Sequence, residues 1–300
     1  MKSKSVLNSP RLQELKKQRK KVLLSKCFFV LIGVLIIFFA LGSVSRLSRL
    51  NIHTVAVAGN RVVDAETIKE KVDANLAGYF LWLFPKTNIF FYPKNKIKEN
   101  LAENFKRLES ISLEVADDRT LKISVSEREA LYTWCGENIS TELEGEKEKC
   151  YFLDKDGFVF DEAPYFSGEV YFKFYGALNK VDEYPPGGYF AKENFMQLIS
   201  FNETMKKMGL KPVALHKTEN EDIKIFLSVN NSSSKNPEII FKADADLETV
   251  AENLNAALTT EPLQTDIKKK YSSLLYIDLR YGNKVYYKFS AQGGSASGGK

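Results

Sequence analysis

The chain is predicted to be an α+β protein with one membrane-spanning helix near its start. Three patterns predict this class: an uncharged apolar run, then a β-α-α-β-β pattern, then alternating apolar residues typical of strands with helical interruptions. The second part is expected to be a mixed, strand-rich β domain with flanking helices. The expected domains are a basic tail at 1–26, the transmembrane helix at 27–45, the β-α-α-β-β unit at 50–129, the β domain at 130–290 and a flexible tail at 291–300.

The apolar run covers residues 27–44, CFFVLIGVLIIFFALGSV, and contains no charge. As a helix it is about 27 Å long, close to the ~30 Å hydrocarbon core of a bilayer. Nine Lys or Arg and one acid precede it. The positive-inside rule therefore predicts a cytoplasmic N-terminus and an extracytoplasmic body, as in a single-pass type II protein of the plasma (inner) membrane. The run exceeds the apolar core of a normal signal peptide, which favours an anchor over a cleaved leader.

The charge of the chain is unevenly distributed. The whole chain carries +5, and the basic tail alone carries +8, so the remainder carries −3. That balance does not indicate nucleic acid as a partner. No motif for a cofactor or small-molecule substrate is present, and only two histidines are available for a metal. A non-catalytic role is therefore expected, with no cofactor.

The β-α-α-β-β unit begins with a strand at 52–57 that ends at the turn dipeptide Gly59-Asn60. Asp64 is expected to cap the first helix, and the second helix should begin after Pro93. Strands are predicted at 111–115 and 121–125. The apolar positions that define the helices are Ile68, Val72 and Leu76, then Ile97, Leu101 and Phe105.

An aromatic loop joins the two predicted helices and includes Phe80, Trp82, Phe84 and Pro85. Three explanations remain open for Trp82 and Phe84. They are an exposed contact for other membrane proteins, packing in the core of the unit, and contact with the membrane surface.

Cys135 and Cys150 flank a polar stretch that separates two apolar aromatic runs. If those runs pair as antiparallel strands, the thiols face each other across a hairpin. A disulfide is chemically permitted outside the cytoplasm. Unlinked, half-buried thiols remain the alternative.

The last hairpin has the clearest pattern in the β domain. Leu275, Ile277, Leu279 and Tyr281 alternate and are expected to share one face. A tight turn follows, then a second alternating strand at 285–289. As a terminal edge, that strand is suited to binding an extended peptide by strand addition, and the Arg280 donor fork is suited to a carboxylate of the partner. The predicted partner-binding residues are Arg280, Tyr281, Gly282, Asn283, Lys284, Val285, Tyr286, Tyr287 and Lys288.

Five motifs occur in a specific order along the chain: IHTVAVAGN (52–60), YPKNKIKENL (92–101), SEREA (126–130) followed by Trp134, FLDKDGFVF (152–160) and YIDLRY (276–281). Together with the membrane topology, they resemble the bacterial cell-division family called FtsQ or DivIB. The resemblance implies a POTRA domain at 50–129 and the family's β domain at 130–290. The insertion between the cysteines, the cysteines themselves and the loop at 230–236 depart from the family pattern.

The same resemblance implies a function. Such a protein is a non-catalytic scaffold, enriched at the division septum, that links early and late division proteins. Its POTRA domain serves recruitment, and its C-terminal strands bind the coiled-coil proteins FtsB and FtsL. Arg280 and Tyr281 match the family's partner-contacting positions. Other membrane proteins of the divisome are further expected partners.

Two alternatives are weighed against the scaffold. One is a POTRA-type protein that handles polypeptides in envelope assembly; such proteins usually carry several copies of the unit, and this chain shows one. The other is a membrane-anchored glycosyltransferase that uses Asp244 and Asp246 as a metal-binding pair. Because this pair precedes a predicted helix at 247–258, helix capping is the favoured role.

Overall fold

The computed structural model describes residues 10–139, 148–179, 185–229 and 236–290. The chain divides into two compact units, Met1–Glu127 and Arg128–Lys300. The class is α+β, with an N-terminal apolar helix and a strand-rich sheet with flanking helices. The predicted flexible tail at 291–300, most of the loop at 230–236 and the middle of the insertion between the cysteines lie outside the described residues.

The first helix, α1, runs from Pro10 to Ser45 and is longer than the apolar segment. The predicted basic tail is helical from Pro10 onward because residues 11–26 are mostly Lys, Arg, Leu and Gln, which favour helix, with no glycine or proline. Among the described residues, α1 is the one helix long and apolar enough to cross a membrane, by length and composition.

The first unit has the five main elements in the predicted order, with a small added hairpin between its helices. The elements are β1 Thr54–Ala58, α2 Ala65–Leu76, β2 Tyr79–Phe80, β3 Phe84–Pro85, α3 Lys94–Asn104, β4 Leu108–Val115 and β5 Thr120–Glu127. The main sheet has the order β1-β5-β4, with β1 parallel and β4 antiparallel to β5. The crossover that a parallel pair requires is supplied by the two helices.

Both helices pack one apolar face on the sheet. As predicted, the Asp64 carboxylate caps α2 by accepting from the backbone N–H of Thr67 at 3.0 Å. Apolar residues spaced by three or four lie on one side of a helix, and this side is buried here. The buried helix residues are Ile68, Val72, Leu76, Ile97 and Leu101, and Phe105 packs against them.

The second unit contains one nine-stranded mixed sheet. Its strands are β6 Tyr132–Trp134, β7 Cys150–Leu153, β8 Val159–Ala163, β9 Lys173–Tyr175, β10 Pro212–Lys217, β11 Asp222–Leu227, β12 Glu238–Lys242, β13 Leu274–Tyr281 and β14 Lys284–Phe289. Its helices are α4 Phe195–Lys207, α5 Leu247–Thr259 and α6 Leu263–Lys270. The strand order is β14-β13-β12-β11-β10-β9-β6-β7-β8, and α4, α5 and α6 contribute buried residues to the main core.

Three of these elements were not expected from the sequence: β9, β10 and α6. β9 has three residues and β10 begins with a proline, so neither has the length or composition that marks a strand. α6 is mostly polar and buries Leu263. β9 pairs with β6 and β10, which are far away in the sequence, and local patterns do not record such pairings, whereas α6 packs on the neighbouring α5.

Candidate partner-binding edge

The C-terminal hairpin forms as predicted. β13 and β14 pair antiparallel and are joined by Gly282 and Asn283. Gly282 has φ +66°, a backbone conformation that glycine adopts without the steric cost of a Cβ. The turn is therefore tight enough to bring β14 back along β13 in a fixed register.

β14 lies at the end of the nine-stranded sheet. The N–H of Ser290 donates to the carbonyl of Ser273 beside β13, at 2.7 Å. Because backbone groups alternate in direction along an antiparallel strand, those of Val285, Tyr287 and Phe289 point away from β13. In the described part of the chain no strand pairs with that outer side, so β14 is an open edge.

The side chains of β14 alternate as expected. Val285, Tyr287 and Phe289 are half-buried and pack against the main core, whereas Lys284, Tyr286 and Lys288 are exposed. Their contacts fix one face of β14 on the core. On the opposite face, two lysines and one tyrosine are exposed to solvent.

The single face predicted for β13 is interrupted near both ends of the strand. Tyr281 is 57% exposed, and Leu274 rather than Leu275 is in the core. The pairing of β13 with β14 shifts register near each end of β13, which breaks the two-residue alternation there. Tyr281 therefore packs edge-to-face on Tyr286, with ring centroids 5.2 Å apart. We call these two residues the tyrosine pair.

The guanidinium of Arg280 is already bound within the chain. Its Nε and Nη2 donate to the two carboxylate oxygens of Asp278, at 2.9 and 2.6 Å, and its Nη1 donates to Asp222 at 2.8 Å. Lys242 pairs with the other oxygen of Asp222 at 2.7 Å. The donor fork expected to meet a partner's carboxylate thus holds β13 to β11 across β12; a direct contact with a partner stays a prediction. We call these four residues the Arg280 cluster.

Titration of this cluster follows from its contacts. Burial by itself would raise the pKa of Asp278. The hydrogen bonds from Arg280 lower it by a larger amount, so the pKa of Asp278 lies below its ordinary value. The hydrogen bond from Lys242 is the main cause that lowers the pKa of Asp222, with Arg280 adding to it against burial. The bond to Asp278 raises the pKa of Arg280 in turn. Both carboxylates and the Arg280 guanidinium are therefore charged at neutral pH.

Helix α5 also supports the hairpin. Asn253 Nδ2 donates to the carbonyl of Gly282 at 3.1 Å, which holds the turn from the helix side. Residue spacing does not predict this contact, because a single half-buried Asn on a helix has no local signal. At the start of the same helix, Asp246 accepts from the N–H and hydroxyl of Thr249, at 3.1 and 2.6 Å. Asp246 is thus a helix cap, and Asp244 lies exposed before it.

The two cysteines at the other side of the sheet form a disulfide. The register of β6 and β7 places Cys135 directly opposite Cys150, with the Cα atoms 4.1 Å apart. Glu148 lies beside the disulfide, but it accepts from Lys173 and from the Tyr175 hydroxyl, both at 2.7 Å. Bonded sulfurs have no thiolate to offer a cation, so this cluster is a structural cross-link.

In the first unit, the Gly59-Asn60 dipeptide is a turn. Gly59 has φ +89°, and a Cβ there would lie 2.1 Å from the carbonyl oxygen of Val125, so only glycine fits. The Glu127 carboxylate accepts from three backbone N–H groups just after the turn, those of residues 61–63. Burial raises the pKa of Glu127 but these bonds lower it by more.

The two aromatic residues singled out in the loop, Phe84 and Trp82, differ in their surroundings. Phe84 packs against the rings of Phe38 and Phe91, with centroids 5.4 and 6.2 Å away, whereas Trp82 is 93% exposed. Phe84 is half-buried and lies outside the core cluster of the unit, and Trp82 is exposed, so packing in that core accounts for neither residue.

Comparison of the chain with known protein families finds no match, and comparison with curated proteins finds none either.

Proposed function

We propose that the protein is a non-catalytic, single-span scaffold of bacterial cell division that binds FtsB/FtsL-type proteins at the open edge of β14. The observation that carries the proposal is this open edge beside an exposed tyrosine pair. The five motifs that resemble the FtsQ/DivIB family supply the biological setting, namely a septal protein anchored by α1. The β-α-α-β-β unit then serves as the POTRA-like part that is recruited to the septum.

Strand addition suits the backbone of β14. An extended peptide laid along its outer side meets the outward N–H and C=O groups of Val285, Tyr287 and Phe289, and each bond is charge-neutral and independent of the peptide's sequence. The exposed Lys284 and Lys288 deter pairing with random apolar strands and favour an acidic partner. The backbone supplies affinity, and the lysines supply selectivity.

The tyrosine pair supplies an aromatic anchor next to the edge. Tyrosine at the centre of an interface contributes a large apolar area together with a hydroxyl that can bind a polar group. Tyr281 and Tyr286 are both more than half exposed, so they offer this area without prior rearrangement. In this proposal Arg280 acts mainly as a positioning residue, since its bonds to Asp278 and Asp222 fix β13 directly before Tyr281.

The direct test is site-specific photocrosslinking in living cells. A photoreactive residue at Tyr286 of the full chain should capture a small single-span protein with a coiled-coil segment. The control position is Glu162, which is exposed on β8 at the opposite end of the sheet. Equal capture at both positions, or capture of secreted and outer-membrane polypeptides at Tyr286, would contradict the scaffold; the latter would favour polypeptide handling.

The septal role is tested by imaging. A fluorescently tagged full chain should concentrate at the division site, and depletion of the protein should produce undivided cells. An even distribution around the envelope would contradict a division role even if β14 binds a partner.

The enzyme alternative can be tested without disturbing the fold. Asn caps helices about as well as Asp, so Asp244→Asn with Asp246→Asn should preserve α5 while removing both charges. We expect no metal-dependent sugar transfer in the wild type. A transfer activity that is present and falls in this double variant would overturn the non-catalytic assignment.

A further inference from the structure

The hairpin between α2 and α3 exposes an unusual number of large apolar side chains. We call residues 79–85 together with Phe90 and Phe91 the aromatic hairpin. Trp82 is 93% exposed, and the next most exposed are Leu81 at 73% and Phe90 at 71%. Contiguous apolar surface of this kind is rare on a soluble protein unless it binds something.

The aromatic hairpin lies alongside the C-terminal part of α1. The Leu83 side chain occupies the space above Gly42, where a Cβ would lie 2.1 Å from it. The ring of Phe84 packs edge-to-face on Phe38, with centroids 5.4 Å apart. Arg46 donates to the carbonyls of Leu83 and Trp82 at 3.3 and 3.4 Å. The hairpin is therefore attached to the last two turns of α1.

This attachment determines the depth of the hairpin. Phe38 and Gly42 belong to the uncharged run at 27–44, and Phe38 precedes the helix end at Ser45 by about 10 Å along the axis. If α1 crosses the bilayer, as the proposed function requires, the side chains packed on Phe38 and Gly42 lie at the level of the outer leaflet. Exposed neighbours such as Trp82 and Phe91 then face lipid.

The joint between α1 and the unit is built from buried polar side chains. Asn51 Nδ2 donates to the carbonyls of Ser45 and Leu47 at 2.9 and 2.7 Å, and Asn88 Nδ2 donates to the Ser45 carbonyl at 3.1 Å. Thr87 donates to Asn51 Oδ1 at 2.8 Å. These bonds satisfy carbonyls that a helix end leaves open. The end of α1 is therefore hydrogen-bonded, directly and through Asn51, to the segment at 87–88 that follows the β2–β3 hairpin.

The residue types match the boundary between hydrocarbon and headgroups. Trp and Tyr concentrate there because they combine an apolar ring with a polar group, and basic residues reach outward to the phosphates. Lys86 lies over the Phe80 ring at 5.9 Å, and Arg46 lies over Tyr79 at 5.7 Å. Each basic side chain covers an aromatic ring, and its charge lies beside the headgroup layer of the bilayer.

We propose that the aromatic hairpin is a second membrane contact. The side chains of Leu81, Trp82, Phe90 and Phe91 enter the outer leaflet at the headgroup boundary, and the β-α-α-β-β unit is thereby held against the bilayer instead of swinging on a single helix. The inference rests on α1 spanning the membrane. It is independent of the septal role and of partner binding at β14.

Tryptophan emission of the full chain in phosphatidylcholine vesicles tests this contact. Trp82 and Trp134 are the two tryptophans, and the difference between wild type and Trp82→Tyr isolates the Trp82 emission while leaving Trp134 in place. Lipid brominated near the headgroup end of its acyl chains should quench the Trp82 emission, and iodide in the water should quench it little. Resistance to carbonate extraction, measured on the same vesicles, reports the anchor separately.

An inserted chain whose Trp82 is quenched by iodide and not by brominated lipid would overturn the membrane contact and leave the anchor intact. A chain extracted by carbonate would instead overturn the anchor, and the inference with it. Because the vesicles contain no other protein, quenching by lipid also excludes a protein partner as the necessary occupant.

A matched pair of glycine substitutions tests whether packing on α1 sets the depth. Gly42→Leu should push Leu83 away and reduce quenching of Trp82 by brominated lipid. Gly33→Leu is the control, since nothing lies within 4 Å of a Cβ at Gly33. Unchanged quenching in Gly42→Leu, or an equal loss in both variants, would overturn the role of this packing.

Discussion

The two ends of the nine-stranded sheet differ in how their edges are treated. At the β8 end, the N–H of Val159 donates to the carbonyl of Gly188 at 2.9 Å, and the Val159 carbonyl accepts from the N–H of Gly187 at 2.8 Å, so the chain covers the start of this edge. At the β14 end, no such cover occurs among the described residues. An exposed strand edge promotes unwanted pairing with other chains unless it binds a specific partner. Lysines such as those on β14 are a common protection against such pairing.

The ends also differ in what stabilises them. The β8 end has the disulfide, an ion pair between Arg128 and Asp154, and an aromatic cluster that contains Phe160. The β14 end depends on the Arg280 cluster and on the contact from Asn253. In the proposed function, the β8 end serves stability and the β14 end keeps its edge available for binding.

The largest expected difference is between two aromatic truncations. Phe160→Ala should lower the free energy of unfolding by about 3–5 kcal/mol because it empties a buried site at the closed end. Tyr286→Ala, at the open end, should change it by no more than about 0.5 kcal/mol. Urea unfolding of the full chain in detergent measures both, with Trp82→Tyr as the background so that Trp134 is the one emitting tryptophan. Comparable losses would remove the contrast between the ends.

Removing the disulfide should have the next largest effect. Cys135 and Cys150 are 15 residues apart, and a cross-link of that length contributes about 3 kcal/mol. Cys135→Ala with Cys150→Ala should therefore lower the urea midpoint without weakening partner capture at Tyr286. The control is Cys27→Ala, which removes the free cysteine and should leave the midpoint unchanged. Loss of partner capture in the double variant would show that the two ends are coupled.

Arg280→Ala should cost about 2–3 kcal/mol because it leaves the buried Asp278 without its charged donor. Adding Asp278→Asn should recover part of that loss, since a neutral amide needs no counter-charge. Urea unfolding of the single and double variants measures the recovery. If Arg280→Ala leaves stability unchanged but abolishes partner capture, Arg280 is a direct contact and its positioning role is wrong.

The smallest expected effect is a loss of stability at low pH, caused by protonation of the two aspartates in the Arg280 cluster at the β14 end. The pKa values of Asp222 and Asp278 are lowered in the folded protein, so their contribution is complete above about pH 4 and is lost as the pH falls through the folded values. The free energy of unfolding, measured from neutral pH to below about pH 4, should decline less steeply in Asp278→Asn than in the wild type. Parallel curves would show that Asp278 does not contribute.

Local patterns predicted the elements whose stability is local or periodic. The α2 cap at Asp64, the two helices after it and the hairpin around Gly282-Asn283 all form where they were expected. The apolar run likewise lies in α1, although the helix begins earlier. The parallel pairs of β9 with β6 and β10 were not predictable because their partners lie far away in the sequence.

Among the candidate site residues, spacing placed Lys284, Tyr286 and Lys288 on the exposed face correctly. It did not reveal the register shifts of β13, which separate Leu275 and Tyr281 from the buried face of the strand. Residue spacing also could not show that the Arg280 guanidinium donates to Asp222, a residue 58 positions away.

The sequence by itself determined the apolar helix, the β-α-α-β-β order and the terminal hairpin, because each depends on the periodicity of neighbouring residues. Only the tertiary structure decided which edge stays open, that Cys135 is bonded to Cys150, and that Leu83 lies against Gly42. These features arise when segments distant in the sequence pack together, and the free energy of that packing depends on three-dimensional distances that residue spacing does not contain.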